Sequence, residues 1–329
     1  MIESKEQLIA ICEEAQKKLL IELNGSYKES SPPLYHYTNL SSGLEILKGS
    51  RLHFTDIRFS NDPTEIVGGL GILKETHAKY FRERNTEDPY YIFADNVFRF
   101  LDVTTSLRDN EFISSNEGAK WFISRIKDSD KIPNEKKEKF LTQSSIFVSC
   151  LSERNDDLRQ WIPYADDGKG IAIGFKEIGE THDICDATIV QVSYAENKDK
   201  QKYAEKLYGE IESIFKQCPE ELKIDLSIML IDAFQLDIIA CKSPSYKDEQ
   251  EWRMVLPDAV YGMHKDVNFK YSKELIKPYI EVEFNKDSVI EVVLGPKSDK
   301  TVNVHALKLM LQKYGYNNAV VRTSDIDYR

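Results

Sequence analysis

The chain lacks the sequence features of secreted and membrane-spanning proteins. No apolar run approaches the length of a membrane span, and the first twenty residues hold seven charged side chains. That charge density excludes the apolar core of a signal peptide. The five cysteines are odd in number and widely spaced, and none belongs to a Cys-x-x-Cys pair, so we expect reduced thiols. Together these absences predict a cytoplasmic protein with no disulfide framework.

Basic charge is in the minority. The 329 residues include 44 Lys and Arg against 55 Asp and Glu, which gives a formal net charge of −11. Binding along a phosphate backbone needs a basic surface, so this balance argues against extended nucleic-acid binding. A nucleic-acid-modifying enzyme that uses a local patch of Arg154, Arg159 and Lys169 stays open as one alternative. The hydrophobic content of 41% is enough for the chain to bury a core of its own.

Several common catalytic motifs are also missing. There is no HExxH, and the six histidines are scattered, so we predict no metal centre. The glycine clusters at residues 68–71 and 168–170 have neither the GxxxxGK[ST] nor the GxGxxG spacing of phosphate-binding loops. Ser149 and Ser152 lack the GxSxG neighbours of a nucleophilic serine. These absences exclude zinc hydrolases, Rossmann and P-loop nucleotide binding, and serine hydrolases.

The order of strand and helix patterns predicts an α+β fold in one domain over residues 1–329. An N-terminal helix with a capping box is expected within residues 1–30, and the core strands within residues 34–62 and 143–329. Residues 63–142 have the pattern of three or four charged helices inserted between strands. Strand-rich blocks separated by helical blocks argue for a mostly antiparallel β-sheet core with helical insertions.

Residues 146–175 predict a strand, an acidic turn, a short amphipathic helix, a glycine turn and a second strand. Asp156 or Asp157 can cap the helix, and a proline limits it to one or two turns. A short helix packed on a sheet holds its aromatic residues rigidly. We therefore predict that Trp161 and Tyr164 lie at a cleft and stack on a planar ring. Packing of these rings in the core is the competing interpretation.

A histidine lies in the middle of the predicted first strand. In the sequence LYHYT, His36 stands between Tyr35 and Tyr37, whose side chains should point to the opposite face of the strand. The imidazole can then donate hydrogen bonds to a ribose or an amide. The alternative is a core histidine whose hydrogen bonds are satisfied within the protein. We also predict that Asp62 and Glu65, after the second short strand, form a loop close to His36.

Two carboxylates stand two residues apart in the sequence YKDEQEWRMV. If this segment is a strand, Glu249 and Glu251 project from one face. Paired carboxylates suit reactions at an electron-poor sugar carbon, because one can hold a ribose hydroxyl while the other polarises an acceptor. The competing interpretation is that both are solvated residues at the start of a strand.

These stretches together resemble the bacterial family known as domain of unknown function 2971, from Leu34 to Arg329. The matching pieces are LYHYT, GLEILKGSRLHFTDIRFSNDPTE, FVSCLSE, LRQWIPYADDGKGIAIGF, YKDEQEWRMV, VVLGP and SDIDYR. The order of a histidine strand, a strand that ends in serine, and a Glu-x-Glu strand is in turn similar to divergent ADP-ribosyltransferases. In those enzymes the three motifs line an NAD cleft in a split β-sheet. By analogy, the resemblance implies a split, mostly antiparallel, ADP-ribosyltransferase-like sheet here.

The resemblance also implies roles for individual residues. His36, with Thr38 beside it, would contact NAD on the first strand, and Ser149 and Ser152 would support the cleft on the second. Glu251 would bind the ribose 2′-hydroxyl, and Glu249 would orient an acceptor. The aromatic residue that stacks on nicotinamide is expected among Phe54, Phe59, Trp161 and Tyr164.

The implied activity is that of an NAD-dependent ADP-ribosyltransferase or an NAD glycohydrolase. NAD is then a substrate, and the further partner is a macromolecular acceptor, either protein or nucleic acid, with no membrane involved. A bacterial toxin or a phage-defence effector is the expected setting. A non-catalytic ligand-sensing module that uses the same cleft is the alternative from a different functional class.

Overall fold

The computed structural model describes residues 2–24, 31–59, 64–105, 146–176, 187–256, 267–272 and 274–328, together with residues 120 and 124. Over these residues the chain forms a large, open, mostly antiparallel sheet with helices packed on it. The predicted mixed fold with a mostly antiparallel sheet is therefore confirmed. The ADP-ribosyltransferase-like arrangement of that sheet stays a prediction. No helix among the described residues is long and apolar enough to cross a membrane.

Ten described strands make up the sheet. They are β1 (Leu34–Thr38), β2 (Arg51–Asp56), β3 (Phe147–Ser152), β4 (Ile171–Phe175), β5 (Thr188–Gln191), β6 (Glu251–Val255), β7 (Asn268–Ser272), β8 (Leu275–Glu283), β9 (Val289–Leu294) and β10 (Val320–Thr323). The main path through the sheet runs β10-β9-β4-β1-β3-β2-β8-β7, while β6 pairs with β3 and β5 pairs with β6. The pair of β9 and β10 is parallel, and the other described pairs are antiparallel.

A gap opens in the sheet beside the middle of β3. On one side of this strand, β6 pairs with it continuously from Val148 to Ser152. On the other side, Val148 is opposite Thr55 of β2, whereas Ser152 is opposite Tyr35 of β1. The described register gives residues 149–151 no strand partner on that second side. The strands β1 and β2 therefore diverge there and leave space between them.

The described helices are α1 (Lys5–Asn24), α2 (Leu40–Gly49), α3 (Thr64–Tyr80), α4 (Pro89–Thr105), α5 (Leu158–Tyr164), α6 (Asn197–Gln217), α7 (Lys223–Ala240) and α8 (Lys300–Tyr314). The predicted capping box begins α1, since the backbone N–H of Gln7 donates to Ser4 Oγ at 3.2 Å. The backbone N–H of Glu3 in turn donates to Gln7 Oε1 at 2.9 Å.

Two apolar clusters cover opposite faces of the sheet. Val148 and Val255 belong to a cluster with the helices α1, α3, α4, α6 and α7. Their strand neighbours Phe147 and Met254 belong to a second cluster, which α2 and α8 cover. This alternation is what a strand that is buried on both faces requires. The predicted insertion contributes α3 and α4 to the first cluster, so it shares a core with α6 and α7, which lie much later in the chain.

The boundaries of several elements agree closely with the sequence patterns. The strand, short helix and second strand predicted within residues 146–175 are observed as β3, α5 and β4, and Asp157 is the cap of α5. The strand β7 was not predicted. Asp62 and most of residues 106–145 lie outside the described residues, and so does the side chain of Glu65. The prediction that Asp62 and Glu65 form a loop close to His36 therefore stays a prediction.

Gly170 allows the start of β4 to approach β1 closely. A Cβ atom at this position would lie 2.1 Å from the carbonyl oxygen of Thr38 and 3.0 Å from the Cβ of Ala165. No larger residue fits without movement of the backbone of β1. Since Thr38 is two residues from His36, this contact fixes the strand that carries the histidine.

We expect Gly170→Ala to lower the free energy of unfolding by about 1–3 kcal/mol, because the added methyl group overlaps the Thr38 carbonyl. The matched control is Gly71→Ala in α3, where an added Cβ meets nothing within 4 Å. The control should be stabilised by about 0.5–1 kcal/mol through its better helix propensity. Urea unfolding of both variants measures the difference, and an unchanged stability of Gly170→Ala would contradict the close approach.

Candidate active site

A cleft of about 700 Å³ opens at the gap in the sheet. Its walls come from β1, β2, β3, β6, β7 and β8, from the end of α5, and from the turn that precedes β6. Several of the residues predicted for the site line this cleft, namely His36, Thr38, Ser149, Tyr164, Glu249 and Glu251. Phe59, which was one of the four candidate stacking aromatics, lines it as well. A volume of this size is typical of sites for small molecules and cofactors.

Glu249 and Glu251 are joined by a lysine that the sequence analysis did not identify. The ammonium group of Lys242 lies 2.5 Å from Glu249 Oε2 and 2.6 Å from Glu251 Oε2. On the other side, Arg253 Nε donates to Glu251 Oε1 at 2.7 Å. All four side chains are buried. We call these four residues the ion network. It contains two carboxylates and two cations, so its formal charges cancel.

The two glutamates do not project from one face of a single strand, as the sequence analysis predicted. Glu249 ends a 3₁₀ turn, Gln250 has a left-handed backbone with φ of 45°, and β6 begins only at Glu251. That prediction was wrong because the left-handed residue interrupts the strand between the two carboxylates. They converge instead through their shared contact with Lys242.

Burial and neighbouring charges shift the pKa values of the ion network in opposite directions. Burial alone would raise the pKa of Glu251, but the positive charges of Arg253 and Lys242 outweigh it and lower the pKa to about 2. Burial would likewise lower the pKa of Lys242, whereas Glu251 and Glu249 raise it above its usual range. Glu251 and Lys242 are therefore both ionised at neutral pH. The backbone N–H of Glu251 is held as well, by donation to the hydroxyl of Tyr194 at 2.9 Å.

His36 contacts the exposed edge of β3 at the gap. Its Nδ1 lies 3.0 Å from the carbonyl oxygen of Cys150. A carbonyl only accepts, so Nδ1 carries the hydrogen and donates it. Burial lowers the pKa of His36 to about 4, which keeps the ring neutral and leaves Nε2 as an acceptor. The expected donation from the histidine to a ligand is corrected in this respect, because the donor nitrogen is already engaged by Cys150.

Ser149 places a buried hydroxyl in the wall of the cleft. The side chain is only 2% exposed, and its Oγ has no hydrogen-bond partner among the described residues. A buried hydroxyl without a partner is costly, so such a group commonly marks the position of a ligand or of ordered solvent. Next to it, Cys150 lines the cleft, and desolvation by the surrounding residues raises the pKa of its thiol.

Trp161 and Phe54 are core residues, and the prediction that they contact a ligand is not supported. Trp161 is fully buried, its Nε1 donates to Asp156 Oδ1 at 2.6 Å, and its ring packs edge-on against Tyr37 at 4.8 Å. Phe54 is also fully buried, in the cluster under α2 and α8. Neither ring lines the cleft. Each ring lies on the face of its helix or strand that packs against other apolar side chains.

Ser152 contacts the turn that carries Glu249 and does not contact the cleft directly. Its hydroxyl donates to the carbonyl oxygen of Glu249 at 2.6 Å and accepts from the backbone N–H of Arg154 at 3.0 Å. The side chain does not itself line the cleft. Its position on β3 therefore supports the turn that presents Glu249, which agrees with a supporting role but not with direct contact to NAD.

The three basic residues considered for nucleic-acid binding do not line the cleft. Arg159 forms an exposed ion pair with Asp248, which offsets part of its positive charge. Within the described ranges, no group of three or more His, Cys, Asp and Glu side chains is placed to hold a metal ion.

Residues 160–254, which run from α5 to β6, match the model of a protein family. The description of that family is "Protein of unknown function (DUF2971)". The matched segment includes Tyr164 and the complete ion network. No curated protein and no solved structure matches the chain. The ADP-ribosyltransferase resemblance therefore stays a prediction from the order of the sequence motifs.

We expect Lys242→Met to destabilise the protein by roughly 3–5 kcal/mol, because it leaves two buried carboxylates with one cation fewer. The lowered pKa of Glu251 contributes stability above its ordinary value of 4.5, and this contribution is lost as the pH falls towards 2. The deficit of the variant should therefore be largest at neutral pH and shrink below about pH 4. Urea unfolding across this pH range tests the effect, with the exposed Lys247→Met as control. A deficit that does not change with pH would contradict it.

The protonation state of His36 can be measured directly. Long-range proton–nitrogen NMR correlations should show a neutral ring with the hydrogen on Nδ1, and a titration midpoint near 4. The spectrum of His36→Gln assigns the signal. A midpoint close to the ordinary value of 6.5 would mean that the ring is not buried as described, and a hydrogen on Nε2 would mean that the bond to Cys150 is absent.

Proposed function

We propose that the cleft binds NAD and that the protein is an NAD-dependent ADP-ribosyltransferase or NAD glycohydrolase. One observation carries the proposal. The strands β1, β3 and β6 are far apart in sequence, yet they bring His36, Ser149 and Glu251 to one cleft at a gap in the sheet. The resemblance assigns contact with NAD to His36 and Glu251, and support of the cleft to Ser149.

The polar groups of the cleft suit a ribose. Glu251 stays ionised and can accept a hydrogen bond from the 2′-hydroxyl. The free Nε2 of His36 offers a second acceptor, and the hydroxyl of Ser149 offers a donor. Tyr164 and Phe59 are the candidate stacking aromatics that line the cleft.

The proposed reaction breaks one bond at the nicotinamide ribose. The bond between the ribose C1′ and the nicotinamide nitrogen breaks, and its electron pair leaves with nicotinamide. Positive charge develops on the ribose, and the Glu251 carboxylate stabilises it. Water, or a nucleophile of an acceptor, then attacks C1′ and releases a proton. With water the product is ADP-ribose, and with an acceptor it is an ADP-ribosylated macromolecule.

The biological setting follows from the resemblance alone. The acceptor would be a protein or a nucleic acid, and the activity would serve as a toxin or in defence against phage. The acidic net charge of −11 favours a protein acceptor over a long nucleic acid.

The ion network also favours a second candidate, a ligand-sensing module without catalysis. Lys242 contacts both carboxylates and Arg253 contacts Glu251, so the negative charge that a cationic ribose would need is already balanced. In this alternative the network only shapes the cleft. NAD or a related molecule would then bind without release of nicotinamide.

The decisive measurement is release of nicotinamide from NAD by the purified protein, with and without cell lysate as a source of acceptor. We expect Glu251→Gln to lower turnover by about 10²-fold or more, because it removes the charge that stabilises the ribose cation. Glu249→Gln should reduce transfer to an acceptor more than hydrolysis. The exposed Glu283→Gln on β8 is the matched control and should keep full activity.

Glu251→Gln also unbalances the buried ion network, so its stability must be measured beside its activity. The contacts of Glu251 with Lys242 and Arg253 predict a loss of stability. Ser149→Ala leaves the network intact and should raise the KM for NAD. Equal turnover by wild type and Glu251→Gln would overturn the assignment. Thermal stabilisation by NAD without any nicotinamide release would favour the sensing module.

A further inference from the structure

Three uncharged polar side chains line the cleft without a hydrogen-bond partner among the described residues. They are Thr38 of β1, Ser149 of β3 and Gln160 of α5, and each residue is less than a tenth exposed. Buried polar groups are normally paired, so unpartnered groups in a cleft commonly mark the position of a ligand. Gln160 has the largest side chain of the three, and the sequence analysis did not identify it.

The helix α5 holds Gln160 in one direction. Asp157 caps this helix by accepting from the backbone N–H of Arg159 at 2.9 Å, and its carbonyl accepts from the backbone N–H of Gln160 at 3.0 Å. The next residue, Trp161, is fixed in the core by its hydrogen bond to Asp156. Because the backbone is anchored on both sides, the Gln160 side chain loses little further freedom when it binds a ligand.

Tyr164 stands one helical turn after Gln160, and both residues line the cleft from the same face of α5. Burial raises the pKa of the Tyr164 hydroxyl, and the charges of Lys242, Glu249 and Glu251 also act on it. The hydroxyl of Tyr164 is therefore close to the ion network. A planar ring that stacks on Tyr164 would have the Gln160 amide on the same helix face and the ion network nearby.

The chemistry of a glutamine amide limits what it can bind. The group offers one carbonyl acceptor and two N–H donors, and it carries no charge. A planar group that presents a donor beside an acceptor satisfies the oxygen and the nitrogen of the amide together. A carboxylate only accepts, so one of its oxygens would face the amide carbonyl without a hydrogen between them. The amide of Gln160 therefore favours a neutral group of mixed donor and acceptor character.

We propose that Gln160 binds a planar group of the ligand that carries a hydrogen-bond donor beside an acceptor, while Tyr164 stacks on the ring of that group. Two such groups belong to NAD, the carboxamide of nicotinamide and the amino edge of adenine. Because Tyr164 is close to the ion network that contains Glu251, we expect the carboxamide at Gln160. That a donor–acceptor group binds here follows from the unpartnered amide. That it belongs to nicotinamide rests on the proposed function.

Titrations of the full chain with two pairs of ligands, followed by NMR, separate the two sources of the group. Nicotinamide and nicotinic acid share a ring and differ in amide against carboxylate, whereas adenosine and inosine differ in the amino group of the base. We expect wild type to bind nicotinamide about tenfold or more tightly than nicotinic acid. A preference for adenosine over inosine, with none within the first pair, would assign the group to adenine. No preference within either pair would overturn the inference.

The variant Gln160→Met keeps the approximate size of the side chain and removes its amide. It should reduce the preference for nicotinamide over nicotinic acid to less than about threefold. Without ligand it should unfold at the same or a higher temperature than wild type, because it removes a buried amide that has no partner. Gln312→Met, at an exposed position of α8, is the matched control and should keep the preference of wild type. An unchanged preference in Gln160→Met, or a lower unfolding temperature with equal weakening of both ligands, would mean that Gln160 has only a structural role.

The outcomes also distinguish this inference from the proposed function. If nicotinamide binds in a way that depends on Gln160 while NAD is not cleaved, the amide site stands and the enzymatic proposal fails. If Gln160→Met cleaves NAD with the KM of wild type, the amide site is wrong and the enzymatic proposal stands.

Discussion

The buried ion network is the constraint on which the geometry of the cleft depends. Removing Lys242, Glu249, Glu251 and Arg253 from water is costly, and the cost is offset only when all four charges are present in contact. The network also joins separate elements. Lys200 on α6 donates to the carbonyl of Lys242 at 2.9 Å, and Arg253 donates to the carbonyl of Ile239 at the end of α7. The helical layer and the sheet are thereby connected at the same point that forms one wall of the cleft.

The gap in the sheet has a second consequence beyond the space it creates. In a continuous sheet the carbonyl of Cys150 would accept from a neighbouring strand, but at the gap it accepts from Nδ1 of His36 instead. The same opening therefore satisfies a backbone group, fixes the histidine tautomer and exposes Nε2. A histidine that donates to a buried carbonyl is also the core interpretation of this residue. Here the structural role and the proposed binding role coexist, because the two ring nitrogens serve different partners.

The sequence predicted the features that depend on local chemistry and failed where the outcome depends on distant partners. The Ser4 capping box, the Asp157 cap and the strand–helix–strand order of residues 146–175 are local, and each is observed. Trp161 was placed at the cleft because helical spacing gives its face but not what covers that face. Lys242 was missed because its partners are defined by the left-handed turn at Gln250, which no periodicity reveals. Of the two cations in the network, Arg253, which stands two residues after Glu251 on a strand, is the one that alternation could have indicated.

The contacts of Glu251 place a condition on the proposed reaction. Lys242 contacts both Glu249 and Glu251, and Arg253 contacts Glu251 from the other side. Because Glu251 is already balanced by Lys242 and Arg253, a cationic ribose gains most if Lys242 shifts towards Glu249 as the ligand binds. Glu249 would then hold the displaced lysine while Glu251 stabilises the positive charge that develops on the ligand. A neutral molecule of the same shape would give Lys242 no reason to shift, so the charge of the ligand would decide which arrangement the network adopts.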